Sequence, residues 1–423
     1  MAVLVELMRS ETAGGHVKCW ERFAEAAALR ARDVDEIDLT LYVLGKRECV
    51  EEFSPWVRVV ALRPVLSSAR ITPLVGGVDV TDLSPFHPRL ARLLRRHDVW
   101  HLTHTFAFAS TAARLAGRTR RERRPGLVAS VHTDVPALSA VYARQAARGL
   151  LGQSRWVDRF GAGPERVAET LARRRRDRLL RLSDRVLVAA PDGREEIDEV
   201  VGSGRVSLLR RGVDHRRFRP DQGARQALAR LYDLPDDRLL VLFVGRVDAS
   251  KRVLLVAEAV RRLVADGWLV HLVVVGAGAD DERVAELLGP HVTRLPPLAQ
   301  HRLARVYAGC DVFAFPSRTE TVGNVVAEAM ASGLPVVLPT GAATTQWLAD
   351  PGRDGVVVRD DTPEGWGRAL AELTGRPEAR LAMARRATET SRESHPTWAR
   401  VLEEDLVPVW RDVAWSRTRP GPG

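Results

Sequence analysis

Lysine is almost absent from this chain. Of its 64 basic residues only Lys18, Lys46 and Lys251 are lysine, which leaves 61 arginines. So lopsided a choice reads as the codon bias of a GC-rich genome, so the net charge of +10 is weak support for a designed polyanion site. Cysteine is equally scarce. Cys19, Cys49 and Cys310 are odd in number and their spacing suggests no metal ligation, which excludes a disulfide scaffold and predicts reduced thiols in a cytosolic protein. No apolar run approaches the ~18 residues of a membrane span. The first residues, Met1 to Met8, lack the basic start of a secretory signal. The expected location is cytoplasmic, with peripheral contact at the inner membrane face as the alternative.

What is present is a large apolar fraction, 45% of 423 residues, enough for two domains. Short apolar runs alternate with helical patterns, as in parallel α/β sheets. Strands are expected at Val3–Leu7, Glu36–Val43, Val57–Leu62, Val99–Leu102, Leu127–Val131, Arg185–Ala189 and Val206–Leu209. A second set is expected at Leu239–Val244, Leu269–Val275, Val292–Leu295, Asp311–Phe315, Pro335–Leu338 and Gly355–Val358. The fold class is therefore α/β, with two doubly wound parallel sheets. The turn-rich stretch after Phe218 sets the expected boundaries: one domain over 1–217, a second over 218–396, and a helical tail over 397–423 that packs back on the first domain and frays at its end.

Two arginine runs, Arg118–Arg124 and Arg173–Arg178, read as a loop and a solvated helix face, since charge runs are usually solvated. Contact with an anionic lipid or acceptor is the competing reading. Nucleic acid is not an expected partner, because no aromatic residues interleave the arginines.

Four loops carry candidate chemistry. After strand Leu239–Val244, Gly245 turns the chain, and Arg246 and Lys251 flank a loop where two cations suit a diphosphate. Gly14 and Gly15 follow the first strand and permit close backbone approach to a ligand. His132 ends the strand Leu127–Val131, where an imidazole can bond a hydroxyl. His101 and His104 also stand at a strand end, but their spacing is not the helical pairing of a metalloprotease, and no metal is expected. The richest loop runs from Pro316 to Pro335. Glu320 stands at a strand end, Gly323, Asn324 and Val325 start a helix, and Glu328 lies within it. In open α/β sheets ligands bind at the carboxyl ends of strands and at helix N-termini. A carboxylate pair with helix amides between them suits a hydroxyl-rich ligand bearing phosphate.

This last stretch resembles glycosyltransferase family 4, retaining enzymes of the GT-B fold. Their signature is two glutamates with seven intervening residues, here Glu320 and Glu328, followed by Ala-Met-Ala-Ser-Gly-Leu-Pro-Val-Val to Val337. It is most similar to α-mannosyl- and sulfoquinovosyl-type members. The resemblance implies a nucleotide-sugar donor held by the second domain and an acceptor lipid, glycan or natural-product core held by the first. Arg246, Lys251 and the amides at Gly323, Asn324 and Val325 would then stabilise the leaving diphosphate without a metal or resident cofactor. Glu328 would hold the ribose and Glu320 the donor sugar. His132 would lie near sugar and acceptor, and Gly14 and Gly15 would face the donor. Two positions depart from the family's pattern: Arg252 replaces a glycine after Lys251, and Arg211 replaces an asparagine at the domain crossover. The donor sugar is left open. A nucleotide-sugar epimerase of the same architecture, or a non-catalytic nucleotide-sugar-binding protein, is the alternative.

Overall fold

The computed structural model describes residues 1–9, 15–30, 37–70, 81–119, 124–132, 139, 163–189 and 193–418. Gly14, Thr133, Asp134, residues 120–123 of the first arginine run and the tail beyond Thr418 lie outside them. The chain divides into two compact units, Met1–Arg210 with Trp398–Gly423, and Arg211–Thr397. No helix among the described residues is long and apolar enough to cross a membrane.

The first unit is built on β1 (Ala2–Met8), β2 (Leu39–Leu44), β3 (Cys49–Ser54), β4 (Val57–Leu62), β5 (Val99–Leu102), β6 (Gly126–Val131), β7 (Arg185–Val188) and β8 (Val206–Leu208). They form one sheet in the order β3-β4-β2-β1-β5-β6-β7-β8. All pairs are parallel except β3–β4. The sequence pattern missed β3, an antiparallel edge strand whose residues are largely exposed and carry Glu51 and Glu52. Charged, exposed edges blunt sheet-to-sheet pairing but leave no apolar signal to read. Along β1 the side chains alternate between two cores. Val3 and Val5 join Trp20 and Phe23, whereas Ala2 and Leu4 join Phe108 and Leu90.

The tail completes the first of these cores. Helical residues from Trp398 to Thr418 place Trp398, Leu402, Leu406, Trp410 and Val413 against β1 and its neighbours. Burying each such side chain contributes roughly 1.5–3 kcal/mol. Gly126 on β6 makes room for this helix, since a Cβ there would collide with Val413.

The second unit holds β9 (Leu239–Val244), β10 (Val270–Val275), β11 (Val292–Leu295), β12 (Val312–Ala314), β13 (Val336–Pro339) and β14 (Gly355–Val358). Their order is β11-β10-β9-β12-β13-β14, and every pair is parallel. Val241, Leu242, Val273, Val274 and Phe313 are wholly buried, as expected for strands covered by helices on both faces. The order reverses between β9 and β12, so both loops leaving these strands open at the topological switch point, the usual ligand crevice of such sheets. Phe243 and Phe315 lie 5.9 Å apart beneath those loops. In the first unit the corresponding reversal falls between β1 and β5.

Candidate active site

The switch point of the second unit gathers Arg246, Lys251, Glu320, Gly323, Asn324, Val325 and Glu328. The β9 loop turns on Asp248, whose carboxylate accepts from the Ser250 amide at 2.9 Å. Arg246 is half exposed and donates to Ser250 Oγ at 3.1 Å. Lys251, by contrast, is mostly buried. Its ammonium forms an ion pair with the Glu320 carboxylate on the β12 loop. The two loops are therefore joined by a group from each, which their separation in sequence did not reveal.

Glu320 stands three residues before Gly323, the N-cap of the helix Asn324–Ala331. Gly323 has φ 71°, and a Cβ there would lie 2.5 Å from Thr344 Cγ2. Glycine is thus required both for the backbone and for the space. No side chain caps this helix and no acidic residue occupies its first turn. Its N-terminus retains the partial positive charge that attracts anions. Asn324, the chain's sole asparagine, occupies the first helical position. Glu328 follows in the second turn and accepts from the Tyr307 hydroxyl at 3.4 Å. Burial pushes that phenol well above its ordinary range, so it acts as a donor. Trp347 donates to the Val322 carbonyl at 2.7 Å and pins the approach to the helix.

A further carboxylate enters from the loop after β14. Asp361 accepts from Arg252 at 2.7 Å, from Arg318 at 2.8 Å and from the buried Trp366 indole at 3.0 Å. Burial works against its charged form, but bonds from Arg252, Trp366 and Arg318 outweigh it and hold the carboxyl below its usual range. Arg252, in place of the expected glycine, adopts a left-handed backbone with φ 56°. Sequence reasoning found Arg252 as an oddity and missed Asp361, which lies more than a hundred residues away with no motif to mark it.

The first unit's switch point is of a different kind. Gly15 opens the helix Gly15–Ala28, and a Cβ there would meet nothing within 4 Å. His16 follows directly. Its ring lies 4.2 Å from that of His104 and 4.5 Å from that of His132. Thr103 Oγ1 donates its one proton to the Leu4 carbonyl at 2.8 Å. Its contacts with His16 Nε2 at 3.1 Å and His104 Nδ1 at 2.9 Å must therefore be donations from the imidazoles. Burial pushes His104 down to about 4, so it is neutral at pH 7 with its Nε2 lone pair available. His132 is buried and bonded to Ser130 Oγ at 2.6 Å. Thr103, His104, Ser130, His132 and Arg176 line one recess.

His101 does not join this group. Its Nδ1 accepts from the Trp410 indole at 3.1 Å inside the core, and burial pushes it down to about 3. Among the described residues no group of three or more His, Cys, Asp or Glu is placed to hold a metal ion. The run Arg173–Arg178 lies on the helix Gly163–Leu182. It is not wholly solvated: Arg176 is buried and paired with Glu196 at 2.8 Å. Glu6 is buried beside the histidine loops on β1. Its carboxylate accepts from the amides of Phe108 and Ala109 at 3.0 and 2.7 Å, yet burial pushes it up to about 8.

Residues 25–217 match the family model described as Glycosyltransferase Family 4, and residues 238–375 match that of Glycosyl transferases group 1. A D-inositol 3-phosphate glycosyltransferase of Streptosporangium roseum is 33% identical over 237 residues, covering 52% of this chain and 53% of that one. The chain spans about half the length of the curated relatives it matches. Sucrose-phosphate synthase from Thermosynechococcus elongatus superposes with a TM-score of 0.71 at 18% identity, over 98% of this chain and 100% of that one. Anabaena HepE in complex with UDP-glucose gives 0.65 at 15%, over 98% and 99%. These structural likenesses establish the GT-B type of fold. With its first unit matching one glycosyltransferase model and its second another, the chain belongs to glycosyltransferase family 4.

Proposed function

We propose that this protein is a retaining glycosyltransferase that moves a sugar from a nucleoside-diphosphate donor to an acceptor hydroxyl. The observation that carries the reading is the Lys251–Glu320 ion pair beside an uncapped helix N-terminus at the switch point of the second unit. A cation and helix amides suit the leaving diphosphate, and the adjacent carboxylate suits the hydroxyls of the sugar attached to it. The HepE structure bound to UDP-glucose and the family membership support this donor class.

In the proposed step the bond from the anomeric carbon to the diphosphate oxygen breaks. The acceptor oxygen bonds the same carbon on the same face, and its proton passes to the departing diphosphate. No side chain is required as nucleophile. Lys251, Arg246 and the amides of Asn324 and Val325 stabilise the negative charge as it develops, in place of a metal. Glu328, steadied by Tyr307, takes the ribose hydroxyls. Glu320 orients the sugar. His132, with His16 and His104, offers imidazole nitrogens as acceptors and donors for hydroxyl groups of sugar and acceptor, and Gly15 lets the backbone approach the donor. The acceptor is a hydroxyl-bearing lipid, glycan or natural-product core. Peripheral membrane contact would follow from a lipid acceptor, with the protein at the cytoplasmic face.

The test is a panel of nucleotide sugars with and without acceptors, D-inositol 3-phosphate among them because relatives carry that name. Free nucleotide released only with an acceptor supports the transferase. Interconversion of the donor without release means an epimerase, and binding without turnover means a non-catalytic binding protein.

A further inference from the structure

Three consecutive residues of the β9 loop face the β12 loop across the switch point. The Thr319 hydroxyl donates to the Ser250 carbonyl at 3.2 Å. Lys251 pairs with Glu320. Arg252 donates to the Pro316 carbonyl at 3.3 Å. Asp361, from the loop after β14, closes this seam. Its Oδ2 takes Arg252 and Arg318, one guanidinium from each loop, and its Oδ1 is fixed by Trp366, which is wholly buried at the start of the helix Pro363–Gly375.

Arg252 holds its place at a cost. A left-handed backbone is strained for any residue with a Cβ, and here it falls at the N-cap of the helix Val253–Ala265 without a side-chain cap. Glycine would relieve the strain, so packing of the backbone alone does not explain an arginine. What glycine would lack is the side chain, and its guanidinium reaches Asp361.

We propose that Asp361 and Arg252 are positioning residues that set the register between Lys251 and Glu320. The proposal rests on the glycosyltransferase reading of that site. Neither residue touches the reacting atoms. Asp361 acts through both guanidinium groups, which hold the two loops at the spacing a sugar diphosphate needs. Small misplacements of reacting groups are enough to cost orders of magnitude in rate.

The experiment uses Asp361→Asn, which keeps the shape and the tryptophan bond, and Arg252→Gly, which removes the strain together with the clamp. Turnover should fall about tenfold or more in each. Affinity for the free nucleoside diphosphate should change less than about threefold, roughly 0.7 kcal/mol. Melting of Arg252→Gly should be no lower than that of the parent. Arg252→Lys should recover part of the turnover, as a charge without the fork. Amide hydrogen exchange should quicken in both 246–252 and 316–320 in Asp361→Asn. Unchanged exchange in either loop, or turnover within twofold of the parent, overturns the proposal. Equal losses in nucleotide affinity and turnover would reduce Asp361 to a general structural role and overturn it as well. A parent that shows no acceptor-dependent nucleotide release would instead sink the functional reading, and loop exchange alone would then decide the seam.

Discussion

The two sheets share a plan and differ in what they put at the reversal of strand order. In the second unit the reversal holds ions: Arg246, Lys251, Arg252 and Arg318 against Asp248, Glu320 and Asp361. In the first it holds imidazoles, His16, His104 and His132, stacked edge to face and bonded to hydroxyls. The second crevice is lined by ion pairs, and the first by imidazoles and hydroxyls with the buried Arg176, itself paired with Glu196, among them. The same fold can take either lining because the site is made by loops, while the strands beneath supply only position. That division suits the proposed donor bearing phosphates and the proposed acceptor offering a hydroxyl.

The largest effect should come from removing the charge that the second crevice supplies. Lys251→Ala is expected to lower kcat/KM by about 2–4 kcal/mol, the range for a preorganised electrostatic group. Glu320 then loses its partner in a largely buried setting, so Glu320→Gln in the same background should cost less than it does alone. Steady-state kinetics of the two single variants and the double variant give the coupling directly. Fully additive losses would break the picture of one ionic unit.

The first unit should show its burial of charge in its pH dependence. Glu6 has a folded pKa of about 8 against an ordinary 4.5. The folded state therefore keeps a proton that the unfolded state has lost, and the contribution present below pH 4.5 disappears as the pH rises through 8. A loss of about 2–3 kcal/mol between pH 6 and 9 is expected, the two amides that favour the carboxylate already being part of the value of about 8. His104 and His101 act at the other end. Their pKa values of about 4 and 3 lie below the ordinary 6.5, so their contribution is present above pH 6.5 and fades as the pH falls towards 4. Urea unfolding of the parent and of Glu6→Gln at pH 6 and 9 checks the alkaline limb. An equal slope in both would place its cause elsewhere.

A smaller effect is expected at Gly323. Gly323→Ala forces a Cβ against Thr344 and strains a left-handed backbone, at a cost of about 1–2 kcal/mol in stability. The helix Asn324–Ala331 should tilt, weakening nucleotide binding alongside. Thermal melting and nucleotide titration of this variant should move together. Gly15→Ala meets no such obstacle among the described residues and should leave melting unchanged.

Much of this was legible in the sequence. Every strand of the second unit could be placed within a residue or two, because parallel strands covered on both faces are written as unbroken apolar runs. Glu320, Gly323 and Glu328 announced themselves by spacing around a strand end and a helix start. Strand β3 was not legible, since an exposed edge carries no apolar signature. Neither was the imidazole group, because His16 sits at the start of a helix while His104 and His132 follow two separate strands, and they meet only when β1, β5 and β6 lie side by side. Asp361 was the least legible of all. It enters the site from the end of β14, and its role depends on Arg252, whose side chain gave no hint of direction.

The most direct measurement is calorimetric titration of the nucleoside diphosphate that the parent binds most tightly into Lys251→Ala, Glu328→Gln, Glu320→Gln and His132→Ala. The account predicts clear losses for Lys251→Ala and Glu328→Gln, the latter about 1.5–3 kcal/mol for hydrogen bonds to a charged group. It predicts nearly parental affinity for Glu320→Gln and His132→Ala, whose losses should appear only in turnover with the intact sugar nucleotide. Unchanged binding in Lys251→Ala and Glu328→Gln, with the loss falling on His132→Ala, would contradict it.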